Sequence, residues 1–388
     1  MGPNILLPTR ANSPNPHAKF GPIVTLRVGS HRAIFIADRT LSHQALVQNG
    51  SLFSDRPKAL SISKIVNNDQ RNITSTSYGP TWRTFRRNLT SDMLHHSRVK
   101  SFSGIRKWVL HTLLTHLKYD SQSNYSFRVI DRFQYAMFCL LVFMCFGEQL
   151  DDGKIRDIER VNRQLLQGFT RFRILDIWHK EEGVISYVDA LLNLQLLEER
   201  RNLNEGEIVT LLQERLVDEI REVLGEREQR EVKEEDLQKL PYLKAVILEG
   251  LRRHPPGHFV LPHAVTEDVI FNDYLIPKNA TVNFMVAEMG WDPKVWEDPM
   301  TFKPERFISD EGFDITGSKE IKMMPFGAGR RICPGYNLAL LHLEYFVANL
   351  VWNFEWKLPD GGKVDLSEKQ EFTVVMKNAL QVHLSPRK

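Results

Sequence analysis

The segment that most restricts the fold is PFGAGRRICPGYNLALLHLEYF, which runs from Pro325 to Phe346. Glycine loses more backbone freedom on folding than any other residue, so the three glycines indicate a loop of required shape. Proline is favoured at the first helical position, and Pro334 therefore predicts that Cys333 lies just before the N-terminus of an apolar helix. Backbone N–H groups and the helix dipole stabilise an anion there, which favours a thiolate.

Three functions are compatible with this loop. A glycine-rich surface turn with a structural cysteine is the first, although the two neighbouring arginines indicate a negatively charged partner. A phosphate-binding loop is the second, but no Gly-Lys-Ser/Thr follows the glycines. The third is a haem bound through an axial cysteine thiolate, with Arg331 holding a carboxylate and the glycines leaving room for a large flat group.

Five fixed positions within ten residues connect the loop to a known family. Phe326, Gly329, Arg331, Cys333 and Gly335 match every specified position of F-x-x-G-x-R-x-C-x-G. This stretch resembles the haem-ligand loop of the cytochrome P-450 (haem-thiolate monooxygenase) superfamily. The resemblance implies that these five residues bind haem (iron protoporphyrin IX), with Cys333 as the axial iron ligand and Arg331 on a propionate.

An E-x-x-R pair and a P-E-R-F segment precede the loop in the order that this family has. Glu249 and Arg252 form the pair, and Arg306 stands in the segment Pro304-Glu305-Arg306-Phe307. On an exposed helix face such a pair contributes only about 0.2–0.5 kcal/mol. The resemblance implies instead that Glu249, Arg252 and Arg306 form a buried structural ion network with no role in the chemistry.

Three upstream residues resemble further haem contacts of the family. Trp82 and Arg86 are four residues apart and so lie on one helix face, as in W-x-x-x-R. Taken alone, they are more often a core tryptophan beside a solvated arginine. His263 resembles another propionate contact, although a lone histidine is as often a satisfied loop residue. The segment FSDRP at Phe53–Pro57 is similar to plant microsomal members.

The oxygen-activating segment of this family is missing from the sequence. Members carry an acidic residue followed by threonine, which deliver protons to bound dioxygen. No such pair occurs between Gly147 and Glu249, so no catalytic residue is assigned. The segment LNEGEIVTL resembles the one that leads into the oxygen-activating helix of the family. Here it continues as LQERLVDEIREVLG. We therefore predict deletions near 178–183 and 211–213, as in a truncated or mis-spliced product.

Composition describes an ordinary globular protein and excludes some classes. Of 388 residues, 42% are hydrophobic and 26% charged, and the net charge of +3 is too balanced for a nucleic-acid-binding protein. Three cysteines without a C-x-x-C pair argue against a disulfide framework or structural zinc. The sequence predicts a Pro/Asn-rich lead-in over 1–22 and one haem-thiolate domain over 23–388, mainly α with a minor β-sheet and incomplete in its centre.

Hydrophobic periodicity and turn residues predict individual elements. A hairpin is predicted from strands over 23–28 and 32–37, with further extended segments over 269–275 and 281–287. Helices are predicted over 81–89, 100–117, 131–146, 154–178, 205–224, 243–253 and 338–352, the last of them buried.

The resemblance also implies a reaction, R–H + O₂ + 2e⁻ + 2H⁺ → R–OH + H₂O. Electrons would come from NADPH through an NADPH-cytochrome reductase, and the substrate would be a small hydrophobic molecule. The loop before Trp82, residues 256–263 and Phe372–Leu380 would line its pocket. Two alternatives stay open: a catalytically silent haem-binding product, and a reductase-independent haem-thiolate isomerase or dehydratase of hydroperoxides.

The family implies the cytosolic face of the endoplasmic reticulum membrane. The N-terminal residues have no apolar run of the roughly 20 residues that a membrane span needs. We therefore expect a soluble cytoplasmic or peripheral chain, for which contact with a membrane surface remains open.

Overall fold

The structure, a computed structural model, covers most of the chain. It describes residues 21–28, 31–58, 68–122, 126–171, 195–196, 201–202, 205–225, 231–309, 312–359, 364–371 and 373–387. The predicted junction at 178–183 and the first twenty residues of the lead-in lie outside these ranges.

The described residues are mainly helical, with short strands. The helices are α1 Arg39–His43, α2 Pro80–Asn88, α3 His96–Ser101, α4 Ser103–Ser121, α5 Val129–Phe146, α6 Asp152–Arg171, α7 Glu205–Leu224, α8 Pro241–Arg253, α9 Val286–Gly290 and α10 Tyr336–Asn353. The strands are β1 Ile23–Val28, β2 His31–Ile36, β3 Phe127–Arg128, β4 Gln195–Leu196, β5 Arg201–Asn202, β6 His263–Ala264, β7 Val269–Phe271, β8 Tyr274–Ile276, β9 Thr281–Phe284, β10 Phe354–Lys357, β11 Glu368–Gln370, β12 Val374–Met376 and β13 Gln381–Pro386.

The chain divides into two compact units, each made of three separate stretches. Unit 1 consists of Met1–His95, Glu249–Phe302 and Ser309–Asn337. It contains the loop Phe326–Gly335, called the cysteine loop below. Unit 2 consists of His96–Leu248, Lys303–Ile308 and Leu338–Lys388.

Unit 1 is built on a four-stranded sheet in the order β1-β2-β9-β6. The predicted hairpin is confirmed, because β1 pairs antiparallel with β2 from Ile23 opposite Ile36. β2 runs parallel to β9, and β6 pairs antiparallel with β9. Ile34, Ile36, Val282 and Phe284 are buried in one hydrophobic cluster with α1 residues and with Phe53. The sheet therefore supports the segments that reach the cysteine loop.

Unit 2 is a helical layer beside a three-stranded sheet in the order β10-β13-β3. α4 packs on α5 and on β13, and α5 also packs on α6. α8 begins at Pro241, where the Glu219 carboxylate of α7 accepts the Tyr242 and Leu243 N–H groups at 2.6 and 3.0 Å. This carboxylate satisfies two of the N–H groups that a helix start leaves unpaired.

Gln213, at the predicted junction in α7, is tied to the sheet of unit 2. It is buried, its Nε2 donates to the Trp356 carbonyl at 2.9 Å, and its Oε1 accepts the Trp356 N–H at 3.0 Å. Two hydrogen bonds therefore anchor the chain at the predicted junction to strand β10.

Helix α5 is apolar on all sides but is not fully covered. It is the one described helix that is long and apolar enough to cross a membrane by length and composition, and 28% of it is buried. Leu141 is 50% exposed and Phe146 63% exposed, whereas Ala136 and Leu140 are buried. Parts of the α5 surface thus lack a packing partner among the described residues.

The predicted elements differ from the structure at four places. The extended segment predicted over 281–287 ends at Phe284, and helix α9 begins at Val286. The helix predicted over 100–117 is two helices, because Phe102 leaves the helical conformation between α3 and α4. The extended segment over 269–275 is the hairpin β7–β8, whose turn residues Asn272 and Asp273 have φ angles of 50° and 63°. The predicted burial of α10 holds for its C-terminal half, whereas Leu343 is 37% exposed.

A buried ion pair joins two members of the predicted structural network. Glu249 and Arg252 of α8 form two hydrogen bonds of 2.6 and 2.8 Å, and both side chains are completely buried. Arg252 also donates to the carbonyls of Gly290 and Pro299 at 2.6 and 2.7 Å. Arg306 lies in the 3₁₀ turn Pro304–Phe307 of unit 2, and its place in the network stays a prediction.

Replacing Arg252 by methionine should lower the free energy of unfolding by about 3–5 kcal/mol, because the Glu249 carboxylate would stay buried without a partner. The matched control is Arg221→Met, which removes an ion pair of the same i,i+3 spacing to Asp218 in which both side chains are more than 60% exposed. This change should cost less than about 1 kcal/mol. Chemical denaturation measures both values, and equal losses would contradict the structural role of Arg252.

Candidate functional site

The cysteine loop is closed by its own backbone. The Cys333 N–H donates to the Phe326 carbonyl at 2.9 Å, and a 3₁₀ turn spans Gly329–Arg331. The following helix begins at Tyr336 rather than at Pro334, so Cys333 lies three residues before it, farther than the sequence predicts. Cys333 is a free thiol of intermediate exposure, which leaves its sulfur reachable.

Gly329 is required by the way the loop packs. Its φ angle is +66°, and a Cβ built on it would lie 1.9 Å from the Leu46 carbonyl oxygen. Leu46 belongs to the helical turn that continues α1, so the loop sits directly on that turn. A Cβ at Gly335, in contrast, meets no atom within 4 Å. The backbone at Gly335 therefore borders open space into which a flat group could fit.

Arg331 joins the cysteine loop to the chain before α2. Its guanidinium donates to the carbonyls of Ser54 at 2.8 Å, Ile73 at 3.3 Å and Thr76 at 2.6 Å. It also lies over the Trp82 ring, 4.5 Å from the ring centre. A guanidinium has five N–H donors, so two donors remain beyond these three hydrogen bonds. The predicted contact to a propionate is compatible with this count and stays a prediction.

Trp82 and Arg86 both reach the loop from α2. Trp82 is buried beneath Arg331, and Arg86 donates from Nη1 to the Ile332 carbonyl at 2.6 Å. Burial lowers the pKa of Arg86, and the nearby Cys333 sulfur opposes that shift. The structure thus brings together the two residues that the four-residue spacing assigned to one helix face.

His263 lies in β6 and is fully enclosed. Its Nδ1 is 2.7 Å from the Phe53 carbonyl, which can only accept, so Nδ1 carries the proton. Burial, with Arg56 and Arg331 close by, lowers the pKa of His263 to about 3. The neutral ring then presents Nε2 as an acceptor. The predicted bond to a propionate requires a second proton on this ring, which an arriving negative charge would favour.

Arg56 is a site residue that the sequence did not single out. Its Nε donates to the Thr74 carbonyl and its Nη1 to the carbonyls of Leu261 and Pro262, all at 2.8 Å. Burial and the neighbouring Arg331 lower the pKa of Arg56 to about 9. No spacing rule relates residue 56 to residue 261, and the available signal is a charged dipeptide, Asp55-Arg56, in a non-helical segment.

The electrostatics of the site favour an anion. Burial lowers the pKa of Arg331 to about 10, and repulsion from Arg86 adds to this effect while Asp55 opposes it. Three partly buried guanidiniums, of Arg56, Arg86 and Arg331, therefore lie close together, and Asp55 is the carboxylate that acts on Arg56 and Arg331 among the described residues. A group that carries two carboxylates would offset this charge. The soft thiol, the cations and the space at Gly335 together fit an iron porphyrin.

The apolar wall beside the loop belongs to the segment that follows α8. Val260 lies 3.6 Å from a Cβ built on Gly327, whose φ angle is +74°. Phe259 and Leu261 flank Val260 and are 40% and 51% exposed. Of the other predicted lining, the region before Trp82 contacts Arg331. Phe372–Leu380 lies in unit 2, and its first residue is outside the described ranges.

Comparisons with known proteins agree on one family. The family model "Cytochrome P450" matches residues 12–183 and 211–384. The Arabidopsis thaliana protein "Cytochrome P450 89A9" is 45% identical over 96% of this chain and 88% of its own length. The Nicotiana tabacum enzyme "5-epiaristolochene 1,3-dihydroxylase" is 29% identical over 95% of this chain and 86% of its own.

A solved structure supports the fold alone. A zebra fish cytochrome P450 with abiraterone aligns with a TM-score of 0.76 and 22% identity, over 96% of this chain and 98% of that one. The predicted fold class, mainly α with a minor sheet, is thereby confirmed.

Gly329→Ala should lower the free energy of unfolding by at least about 2 kcal/mol, because the methyl group meets the Leu46 backbone and the positive φ is strained. Gly335→Ala is the matched control within the same loop and should change it by less than about 0.5 kcal/mol. Chemical denaturation of both variants measures the difference. Equal stabilities would show that the loop is not seated on Leu46.

Proposed function

This chain belongs to the cytochrome P450 family, a haem-dependent monooxygenase family, and from that premise we propose that Cys333 is the axial ligand of its haem iron. Haem and electrons from NADPH through a reductase are properties of the family. The thiolate donates electron density that favours O–O cleavage when haem is bound. The supporting observation is the free, partly exposed Cys333 next to Arg86, in a region where two further guanidiniums, of Arg56 and Arg331, are partly buried.

The residues around the sulfur have separable roles in this proposal. Arg331 and Arg86 would hold the propionates with the N–H groups that do not donate to backbone carbonyls. Trp82 would support the guanidinium plane of Arg331, which lies over its ring. Phe326 and Gly329 shape the loop, while Gly335 leaves room for the porphyrin edge. His263 closes the side next to Phe53 and takes up a proton if a carboxylate reaches its Nε2.

The proposed substrate is a small hydrophobic organic molecule that is hydroxylated. Relatives named for their reactions include "5-epiaristolochene 1,3-dihydroxylase" and "Isoflavone 2'-hydroxylase". The partly exposed apolar side chains of Phe259 and Leu261, next to the cysteine loop, support such a substrate. Plant members of the family are typically associated with the endoplasmic reticulum membrane, and we propose the same location here.

We also propose that internal segments of the usual enzyme are missing from this chain. The alignment with the Arabidopsis protein extends over 447 positions, more than the 388 residues of this chain, and the family match is interrupted between 183 and 211. The exposed apolar side chains of Leu141 and Phe146 on α5, which no described residue covers, support the loss of a packing partner. The missing threonine and acidic residue belong to this region, which favours a haem-binding but catalytically silent product as the second candidate.

Cys333→Ala should abolish the thiolate-type band in the reduced carbon-monoxide spectrum of haem-reconstituted protein. Cys145→Ala is the matched control, since Cys145 is an exposed free cysteine on α5. We expect the control to keep the band. Identical spectra for wild type and Cys333→Ala would rule out Cys333 as the ligand. NADPH consumption with added reductase separates the monooxygenase from the silent binder, which consumes none beyond the reductase alone.

Sequencing of the expressed transcript across codons 205–220 tests the internal deletion. We expect transcripts that contain additional codons between Leu211 and Leu212. A single transcript with the short junction, encoding a stable protein that turns over substrate, would defeat this proposal.

A further inference from the structure

The segment between α8 and β6 is held at its ends by the sheet but not in its middle. The Val260 N–H donates to the Phe284 carbonyl at 3.2 Å, and His263 pairs with Val282 in the β6–β9 register. The carbonyls of Leu261 and Pro262 lie between these two attachments. Both are received by Nη1 of Arg56, at 2.8 Å each. One nitrogen atom therefore holds the backbone of Leu261 and Pro262, called the bulge below.

Arg56 itself is anchored on two sides. Asp55 pairs with Ala264 through backbone hydrogen bonds of 2.9 and 3.2 Å, which attach the segment to the edge of β6. The Nε atom of Arg56 donates to the Thr74 carbonyl at 2.8 Å. Arg331 of the cysteine loop donates to the carbonyls of Ser54, the residue before Asp55, and of Thr76, two residues after Thr74. Two guanidiniums thus connect the cysteine loop to the bulge through the same two stretches of backbone.

Val260, the residue before the bulge, lies beside the cysteine loop. Val260 packs next to Gly327, and half of the Leu261 surface is exposed. A shift of the Leu261 and Pro262 main chain would change the space above the loop without altering the sulfur or its helix. From these contacts we infer that Arg56 is a positioning residue that sets the size of the substrate space through Leu261. This inference rests on the proposed function.

Lysine cannot replace Arg56 in this role. Its ammonium group is a single point charge on a flexible stem, whereas the guanidinium fork serves Thr74 and the bulge at once. Arg56→Lys keeps the charge near Arg331 but gives up part of the fork. The substitution therefore separates positioning from electrostatics.

The test uses two nitrogen ligands of haem iron that differ in bulk, imidazole and 4-phenylimidazole. In haem-loaded protein, Arg56→Lys should change the ratio of their dissociation constants by about five-fold or more, as expected for one lost charge-assisted hydrogen bond. Arg71→Lys, an exposed arginine on the neighbouring turn, is the matched control and should leave the ratio unchanged. Spectral titration measures both constants. An unchanged ratio in Arg56→Lys, with the thiolate band intact, overturns the inference.

Hydrogen exchange keeps the inference testable without haem. The backbone amides of residues 258–261 and of His263 should exchange faster in Arg56→Lys than in wild type, and those of Leu41–Leu46 should not. If wild type retains no haem, the proposed function fails while this exchange result still decides the role of Arg56, and unchanged exchange overturns it. If Arg56→Lys does not fold, Leu261→Ala must shift the ligand ratio, and a ratio equal to wild type overturns the inference.

Discussion

The guanidinium of Arg331 is the contact on which the cysteine loop depends most. It donates to the backbone carbonyls of Ser54, Ile73 and Thr76 while it rests on the Trp82 ring. These acceptors come from chain segments more than 250 residues away, so the loop has its shape only when unit 1 has assembled. A planar, always charged fork is suited to several fixed acceptors at once. The loop is therefore preorganised before any cofactor contributes a contact.

Arg252, which is buried, and the partly buried Arg56, Arg86 and Arg331 differ in how their charge is balanced. Arg252 is matched by the Glu249 carboxylate in a completely buried pair, so its charge is offset within the fold. Arg56, Arg86 and Arg331 share a region with a surplus of positive charge, and burial lowers the pKa of each. A protein accepts such a surplus when a ligand supplies the missing negative charge. The contrast separates a structural group from a binding group by chemistry alone.

Spacing in the sequence was enough to predict the parts that depend on neighbouring residues. The helix that carries Trp82 and Arg86 follows from a short-range pattern, whereas the buried Glu249–Arg252 pair was expected from the family resemblance. The helix after Cys333 begins at Tyr336, two residues later than Pro334 predicted. Arg56 could not be predicted, because its acceptors at Leu261 and Pro262 are set by the sheet edge at Ala264. The neutral state of His263 depends on enclosure, which no local pattern reveals. The turn at Asn272 was missed because its apolar neighbours read as one continuous strand.

The surplus positive charge of Arg56, Arg86 and Arg331 affects the abundance of this protein in a cell. A ligand that binds the native state stabilises it by mass action, and the gain grows with ligand concentration over the dissociation constant. Without the negative charge of that ligand, the backbone around Arg331 should open more often, which exposes the chain to proteases. Its steady-state level should then follow haem supply as much as gene expression.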